Sequence, residues 1–309
     1  MFPKSPVTTV EKDQIRRLSR LLPHRTALKF IEITLAFCLA FLLAHLGTVQ
    51  PFFPFYILAF LTVTWVQHAV FEELHEGAHY RLASSRRLNE YLAGFYGSLM
   101  GISLDNFRVR HHMHHRHFGT PRDPDLPQYQ TCPSGVKGWL QYIAVNFTGY
   151  GAITSLLGAQ STLTTGQPSW QHPGFTLVVQ FVVFVIGVLV GQPFFYFAFW
   201  FAPLITLTYG ISHFRTLLEH YNPQTWQDPA TGETCYGAFY DFQAGIQRHL
   251  LGAQFGYNYH GSHHTEPSVP NYNLNQIAHE DYREVPETLI RTTTYFHRMS
   301  EILSPGYEQ

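Results

Sequence analysis

Residues 28–70, LKFIEITLAFCLAFLLAHLGTVQPFFPFYILAFLTVTWVQHAV, form the first of two long tracts that are almost free of charge. A helix needs roughly 20 apolar residues to cross the hydrocarbon core of a bilayer, so this tract has room for two membrane spans. Gly47, Pro51 and Pro54 favour a turn, which places the predicted spans at residues 28–46 and 55–70, the second continuing as a helix. These features exclude a plain water-soluble globule.

A second uncharged tract lies further along the chain, where no Lys or Arg occurs between Lys137 and Arg215. It predicts two more spans, residues 175–190 and 194–209, joined by a tight turn at Gly191-Gln192-Pro193. Charged residues make up only 13% of the chain, against about 25% in ordinary soluble domains. The sequence therefore predicts four transmembrane helices in two hairpins.

The polar segment before the first span is rich in Lys and Arg, which predicts a cytoplasmic N-terminus and argues against a secretory signal peptide. Each hairpin returns the chain to its starting side, so both termini and the polar segments are expected in the cytoplasm. Residues 92–104 and 139–157 are shorter or more polar, and we interpret them as helices in the membrane interface. A true extra span at residues 139–157 is the alternative.

These patterns predict an all-α integral membrane protein with a histidine-rich helical cap on the cytoplasmic side. No internal repeat or linker divides the chain, so we expect one domain over residues 1–309. Its predicted parts are a cytoplasmic segment (1–27), a first hairpin (28–70), a cytoplasmic region with interfacial helices (71–171), a second hairpin (172–212) and a cytoplasmic cap (213–309).

The composition argues against nucleic-acid binding and against a cysteine-based framework, and it indicates metal or proton chemistry. A net charge of -1 with a pI near 7.0 lacks the basic surface that nucleic-acid binding needs. Cys38, Cys132 and Cys235 are scattered, so neither a disulfide framework nor a thiolate metal site is indicated. The 19 histidines nearly equal the 20 Lys and Arg, and such an excess indicates metal or proton chemistry.

Three groups of histidine have spacings that suit metal binding on helices, because residues three and four apart share a helical face. One ion could therefore be reached by several imidazoles of the same group. A set of so many imidazoles without thiolates suits redox iron better than structural zinc, because structural zinc binds only four ligands. The groups are the HxxxH pair His75 and His79, the HxxHH triplet His111, His114 and His115, and a second HxxHH triplet His260, His263 and His264.

Other interpretations of these histidines remain open at the level of sequence. The run at residues 111–117 could be a solvated polar patch, although a second HxxHH makes that reading weak. A shifted register using His112 and His115 is possible, and His117 is spare in either register. A zinc transporter or sensor would also be rich in histidine, but it predicts ionisable groups inside the spans, where only Glu32 and His45 stand out, both near span ends.

The order HxxxH, HxxHH, HxxHH around two membrane hairpins resembles the membrane fatty acid desaturase superfamily of non-haem diiron enzymes. Two further stretches are similar to that family: residues 119–125, GTPRDPD, and residues 258–274, NYHGSHHTEPSVPNYNL. The resemblance covers roughly residues 68–274. It implies two iron ions, dioxygen as co-substrate, and a membrane position for the whole enzyme.

The resemblance also implies roles for residues outside the three boxes. The stretch RTLLEH at residues 215–220 looks like the segment that supplies an extra ligand, which makes His220 the expected ninth histidine and His213 its competitor. Glu219 is expected to orient a ligand imidazole, since ligating histidines need an acceptor for their other ring nitrogen. Asp123 and Asp125 are expected to act in the same way, and a capped turn is the alternative.

The reaction implied by the resemblance is oxygen-dependent desaturation of a lipid acyl chain. A hydroxylase or ketolase of a lipid or carotenoid on the same scaffold is the alternative, because the boxes do not separate the two outcomes. No nicotinamide-binding motif and no ferredoxin or haem domain is visible in the sequence. The electrons are therefore expected from a separate ferredoxin or b-type cytochrome with its reductase.

Overall fold

The computed structural model describes residues 9–159, 173–228, 231–277 and 290–304. As predicted, the fold in these ranges is mostly helical. The helices are α1 (Thr9–Leu18), α2 (Pro23–Val49), α3 (Phe53–Ala78), α4 (Arg86–Leu99), α5 (Leu104–His117), α6 (Leu126–Tyr129), α7 (Gly135–Phe147), α8 (Tyr150–Ala159), α9 (Pro173–Leu189), α10 (Tyr209–His220), α11 (Gln247–Leu250), α12 (His260–Thr265) and α13 (Tyr295–Leu303).

Two short sheets show that the expectation of an all-α fold is wrong in detail. Strand β1 (Trp226–Gln227) pairs antiparallel with β2 (Thr234–Cys235), and β3 (Phe239–Phe242) pairs parallel with β4 (Ile290–Thr293). A strand of two to four residues is too short to leave an alternating pattern that sequence reasoning can recognise.

Three helices in the described ranges are long and apolar enough to cross a membrane: Pro23–Val49, Phe53–Ala78 and Tyr196–His220. They contain the predicted spans 28–46 and 55–70 and all but the first two residues of the span 194–209, and α3 continues beyond residue 70 as predicted. The remaining predicted span, residues 175–190, corresponds to α9, which has 17 residues and is slightly shorter than the roughly 20 that a straight span needs. Four spans, the hairpins and a cytoplasmic cap therefore stay predictions.

Both predicted interfacial helices are broken in the structure. The first prediction, residues 92–104, falls on the end of α4 at Leu99 and the start of α5 at Leu104, with Gly101 at φ +70° between them. The second, residues 139–157, is divided into α7 and α8 at Gly149, which has φ +89°. Glycine adopts this left-handed conformation at no steric cost, and each glycine lies between the end of one helix and the start of the next.

The described chain forms two compact units. Unit I comprises Met1–Leu21, Arg108–Trp139 and His213–Gln309, and unit II comprises Leu22–Phe107 and Leu140–Ser212. Each unit is therefore built from separated stretches of sequence. The N-terminal residues 1–8, the segment 160–172 and the segment 278–289 lie outside the described residues, so the parts of the predicted segments that fall there receive no description.

Unit II is a helical unit with an apolar exterior and a few buried polar contacts. Leu35 and Phe53 are 64% and 72% exposed, an apolar surface that suits contact with lipid tails. Inside, Lys29 of α2 forms a 2.7 Å ion pair with Glu73 of α3, and both side chains are buried. Each of these two buried charges requires the other, because a buried charge without its counter-ion would strongly destabilise the folded protein.

Gln67 makes another buried polar link within unit II. Its side-chain amide donates to the carbonyl of Trp200 at 2.6 Å, and its oxygen accepts from the hydroxyl of Thr208 at 2.7 Å. Those two residues lie in the π-helical segments Tyr196–Phe201 and Leu204–Thr208, which lead directly into α10. Gln67 thus ties α3 to the widened turns that precede the His220 helix.

Unit I has a core of aromatic and aliphatic side chains around short elements. Phe118, Leu126, Tyr129 and Phe239 form one cluster, and the rings of Phe118 and Tyr129 stack at 5.4 Å. This cluster packs the end of α5 against α6 and β3. The histidines of unit I, on α5, α10 and α12, lie close to this core, since the rings of His114, His220 and His264 each contact Phe118.

We expect Gln67→Leu to destabilise the protein by about 1–3 kcal/mol, because it leaves a buried carbonyl and a buried hydroxyl without their partner. The measurement is thermal unfolding of the purified full chain in detergent. Thr62→Val is the matched control, since Thr62 is a half-buried residue of the same helix whose hydroxyl donates to the carbonyl of Leu58, one turn earlier. Equal melting temperatures for the two variants would contradict the role of Gln67.

Candidate metal centre

Helix α5 carries the second histidine group with three imidazoles on one side. His111 and His114 are buried and His115 is half-buried, whereas His112 between them is exposed. The Nε2 atoms of His111 and His115 are 2.9 Å apart, as the i, i+4 spacing allows. The structure thus brings together the register His111, His114, His115 rather than the shifted one through His112.

Helix α12 carries the third histidine group. A carboxylate from another element, which sequence reasoning missed, binds the N-terminus of this helix. Asp241 of β3 is fully buried and accepts hydrogen bonds from the backbone N–H and the hydroxyl of Ser262, at 2.9 and 2.5 Å. A carboxylate at a helix N-terminus satisfies N–H groups that have no partner in the helix. Asp241 therefore fixes the direction in which His260, His263 and His264 project.

His220 is the last residue of α10 and is 1% exposed. Its Nε2 atom lies 3.0 Å from Nε2 of His260, and Nε2 of His264 lies 3.1 Å from that same His260 atom. The backbone carbonyl of His220 accepts from the N–H of Ala238 at 2.9 Å. His213, the competing candidate, is a half-buried residue at an earlier position of the same helix.

The histidines of unit I fall into two groups of converging nitrogens. Ligand atoms of His114, His220 and His264 lie within 4.8 Å of one another, and those of His111, His115 and His263 do likewise. Nε2 of His115 is 3.1 Å from Nε2 of His263, while the rings of His115 and His264 stack at 4.2 Å and so join the groups. Each of these groups could hold a metal ion.

The spacing of these nitrogens suits a metal ion. Two imidazole nitrogens bound at about 2.1 Å to one metal, at right angles to each other, lie about 3.0 Å apart. The observed Nε2 separations of 2.9–3.1 Å match that value. Imidazole is a good ligand for iron, and no cysteine is needed for such a set.

The electrostatics keep these imidazoles neutral, which metal binding requires. Burial lowers the pKa of His260, His263 and His264 well below 6.5, and the neighbouring imidazoles lower each pKa further. A charged imidazole would have to give up its hydration inside a crowd of similar groups. The lone pairs therefore remain available at neutral pH.

Asp123 lies directly behind His114. Nδ1 of His114 donates to Oδ1 of Asp123 at 2.9 Å, which leaves Nε2 of His114 facing the group formed with His220 and His264. Burial alone would raise the pKa of Asp123, but hydrogen bonds from His114 and Tyr129 outweigh it and hold the pKa below its usual range. An ionised carboxylate in this position fixes the orientation and tautomer of the imidazole.

Tyr129 completes the network around Asp123 and has no signature in the sequence. Its hydroxyl donates to Oδ2 of Asp123 and accepts from the N–H of Gly119 at 2.9 Å. Asp123 also accepts from the N–H of Asp125 at 2.8 Å. These contacts suit the orienting role predicted for Asp123, although ligand atoms of His114, Asp123 and Asp125 also lie within 4.8 Å of one another. The orienting role stays a prediction.

The other two predicted carboxylates have different surroundings. Asp125 is bound by Arg110 through Nη2 and Nε at 2.7 and 2.9 Å, and its Oδ2 is 3.9 Å from Nδ1 of His114. Glu219 is buried beside Arg215, whose Nε is 3.3 Å away, and its Oε2 is 3.9 Å from Nε2 of His260. Asp125 therefore belongs to an ion pair at the surface, and Glu219 to a buried one.

The first histidine pair lies at the end of α3 in unit II. The rings of His75 and His79 are 5.0 Å apart, and His79 is the residue that ends the helix. Gly77 between them packs against Ala93 of α4 so closely that a Cβ atom would lie 2.2 Å from the Ala93 methyl. The side-chain amide of Asn89 donates to the Gly77 carbonyl at 2.9 Å, which further fixes the turn.

Comparison with known protein families agrees with this geometry. The family model described as fatty acid desaturase matches residues 51–296. The chain belongs to the fatty acid desaturase family. As a family member it is an oxidoreductase of the membrane desaturase and oxygenase superfamily, with histidine clusters able to bind metal.

A curated relative lies on the ketolase side of the same superfamily. The chain is 25% identical over 229 residues to the beta-carotene ketolase of Paracoccus sp. (strain N81106 / MBIC 01143), which corresponds to 70% of this chain and 76% of that protein. The family assignment is therefore secure, whereas the choice between members of the superfamily needs a separate argument.

Asp123→Asn is expected to weaken metal binding by about 10–100-fold, the usual effect of changing the acceptor behind a ligand histidine. The measurement is the metal content of the purified full chain after dialysis against graded chelator. Glu233→Gln is the control, because Glu233 is an exposed carboxylate of the same unit that forms an ion pair with Arg122 at 3.2 Å. Unchanged metal retention in Asp123→Asn would contradict the orienting role.

Acidification should release the metal only well below pH 6.5. The folded protein lowers the pKa of His260, His263 and His264 below 6.5, so protons compete with the metal only once the pH falls beneath that value. Iron content and far-ultraviolet circular dichroism, measured together across the acidic range, test this. Loss of iron centred at pH 6.5 or above from folded protein would count against it.

Proposed function

We propose that the protein inserts a double bond into a lipid acyl chain in an oxygen-dependent reaction at a diiron centre. The observation that carries the proposal is the pair of adjacent imidazole groups, His114 with His220 and His264, and His111 with His115 and His263. Two neighbouring redox metals supply a chemistry that amino-acid side chains lack, the oxidation of an unactivated C–H bond by dioxygen.

The proposed ligand set has nine members. Seven lie in unit I, namely the six of the two imidazole groups and His260, whose Nε2 is 3.0 Å from that of His220. His75 and His79 are included because their HxxxH spacing completes the family pattern. Asp123, Asp125 and Glu219 are proposed to orient ligands, Asp123 through its hydrogen bond to His114. The ligands are His75, His79, His111, His114, His115, His220, His260, His263 and His264.

The residues of the chain contribute in three ways. The buried histidines offer neutral nitrogens, Asp123 holds the proton on Nδ1 of His114, and Asp241, bound to the start of α12, sets the direction of the third group. Burial of these imidazoles also keeps bulk water away from the reacting position. The long apolar helices suit a substrate that arrives from the lipid phase.

The reaction needs partners that the chain does not supply. Desaturation removes two hydrogen atoms from the acyl chain and uses dioxygen, two electrons and two protons to give two molecules of water. We propose a ferredoxin or a b-type cytochrome with its reductase as the source of the electrons. We further propose that the centre and both termini lie on the cytoplasmic side, which reporter fusions at the C-terminus would test.

A second candidate function is oxygenation of a carotenoid ring or a lipid to a ketone or an alcohol. The relationship to a beta-carotene ketolase favours it. The two reactions share the metal centre and differ in how the substrate carbon is held, where displacements of about 1 Å change rates by about a hundredfold. We place desaturation first because the stretch at residues 258–274 is similar to the ending of acyl-lipid desaturases.

The test is expression with a ferredoxin and its reductase in a host that makes carotenoids and lacks the activity. We expect a new unsaturated acyl species that depends on oxygen, disappears in His263→Ala and persists in His112→Ala. His112 is the matched control because it is an exposed histidine of helix α5, outside both imidazole groups. The purified protein should contain about two irons per chain.

The outcomes separate the candidates. A new oxygenated carotenoid or lipid without any unsaturated acyl product would replace the desaturase by the ketolase or hydroxylase. Zinc in place of iron, with no oxidised product, would contradict both functions and favour a metal transporter or sensor.

A further inference from the structure

Arg298 is a fully buried cation that lies outside all histidine groups. It belongs to α13 and is 0% exposed. Its Nε donates to the carbonyl of Leu218 at 3.2 Å and its Nη2 to the carbonyl of Tyr221 at 2.5 Å. These two carbonyls flank Glu219 and His220 at the end of α10.

The end of a helix is where such a cation is most favourable. The last four carbonyls of a helix have no partner within it, and the helix dipole adds a partial negative charge there. At the end of α10, Arg298 serves the carbonyls of Leu218 and Tyr221, and the N–H of Ala238 serves that of His220. The backbone on both sides of His220 is thereby fixed.

The same guanidinium also contacts the strand that supports the third histidine group. It lies over the ring of Tyr240, 4.1 Å from its centroid. Tyr240 precedes Asp241, the residue that holds the start of α12 through Ser262. Glu301, 3.0 Å from Nη1, balances the charge.

We propose that Arg298 is a positioning residue that fixes the end of the His220 helix relative to the helix of the third histidine group. It thereby holds Nε2 of His220 and Nε2 of His260 at their 3.0 Å separation. The inference rests on the proposed function, because this separation matters for activity only if the imidazoles bind metal. Positioning of this kind typically changes metal affinity by about 10–100-fold.

The test uses the purified full chain in detergent and Co²⁺ as the metal, whose visible absorption reports the ligand geometry. Arg298→Met should weaken Co²⁺ binding by about 10–100-fold and alter the absorption spectrum. Arg298→Lys should be intermediate, because an ammonium keeps the charge but cannot bridge two carbonyls as a planar fork does. Arg291→Met is the matched control, since Arg291 contacts the same Tyr240, at its hydroxyl, 3.4 Å away.

Amide hydrogen exchange of the metal-free protein provides a second measurement. Residues 217–221 should exchange faster in Arg298→Met than in the wild type or in Arg291→Met. If Arg298→Met fails to fold, Arg298→Lys decides, and a wild-type spectrum, affinity and exchange in that variant would overturn the proposal.

The same measurements distinguish the positioning role of Arg298 from the proposed function. Wild-type affinity and spectrum in folded Arg298→Met would overturn the positioning role while leaving the proposed function intact. A wild-type chain that binds neither Co²⁺ nor iron would contradict the proposed function, and the positioning role with it. Faster exchange together with weaker, spectrally altered Co²⁺ binding supports the proposal.

Discussion

The constraint on which unit I depends is the convergence of several unprotonated imidazole nitrogens to about 3 Å of one another. Lone pairs that face each other in a buried place repel, and protonating them would add buried positive charges. A metal turns this unfavourable arrangement into a set of bonds. The remaining protein structure has to hold the imidazoles in place before the metal arrives, which explains the buried polar supports around them.

In each of these supports, a charged side chain binds polar groups of a histidine-bearing helix that have no partner within the helix. Asp241 accepts a hydrogen bond at the N-terminus of α12, and Arg298 donates one to a carbonyl at the C-terminus of α10. Asp123 accepts a hydrogen bond from Nδ1 of His114. Each charge has the sign that its position favours, a carboxylate at the start of a helix and a cation at the end. Burial then strengthens these contacts, because little water competes for them.

Sequence reasoning found what local spacing encodes. The long apolar tracts and the HxxHH triplets follow the helical period, so the helices α2 and α3 and the groups on α5 and α12 could be predicted. The roles of Asp241, Tyr129 and Arg298 could not be predicted. The partners of Asp241 and Arg298 lie at residues 262 and 218, and such long separations leave no periodic pattern. Tyr129 is close in sequence to its partner at residue 123, but the pair forms no distinctive motif. The short strands were missed because two to four residues leave no alternating pattern. The breaks at Gly101 and Gly149 were missed because a single glycine inside an apolar stretch does not by itself mark the end of a helix.

Unit I is assembled from three separate stretches of chain, and His115 meets His263 across a sequence separation of 148 residues. Contacts this distant form slowly, because closing a long loop costs entropy before any contact repays it. During synthesis the histidines of α5 emerge long before their partners on α12. The newly made chain therefore passes through a period in which the imidazoles of α5 lack these partners, and the proposed metal ions would be bound only in the last stage of folding.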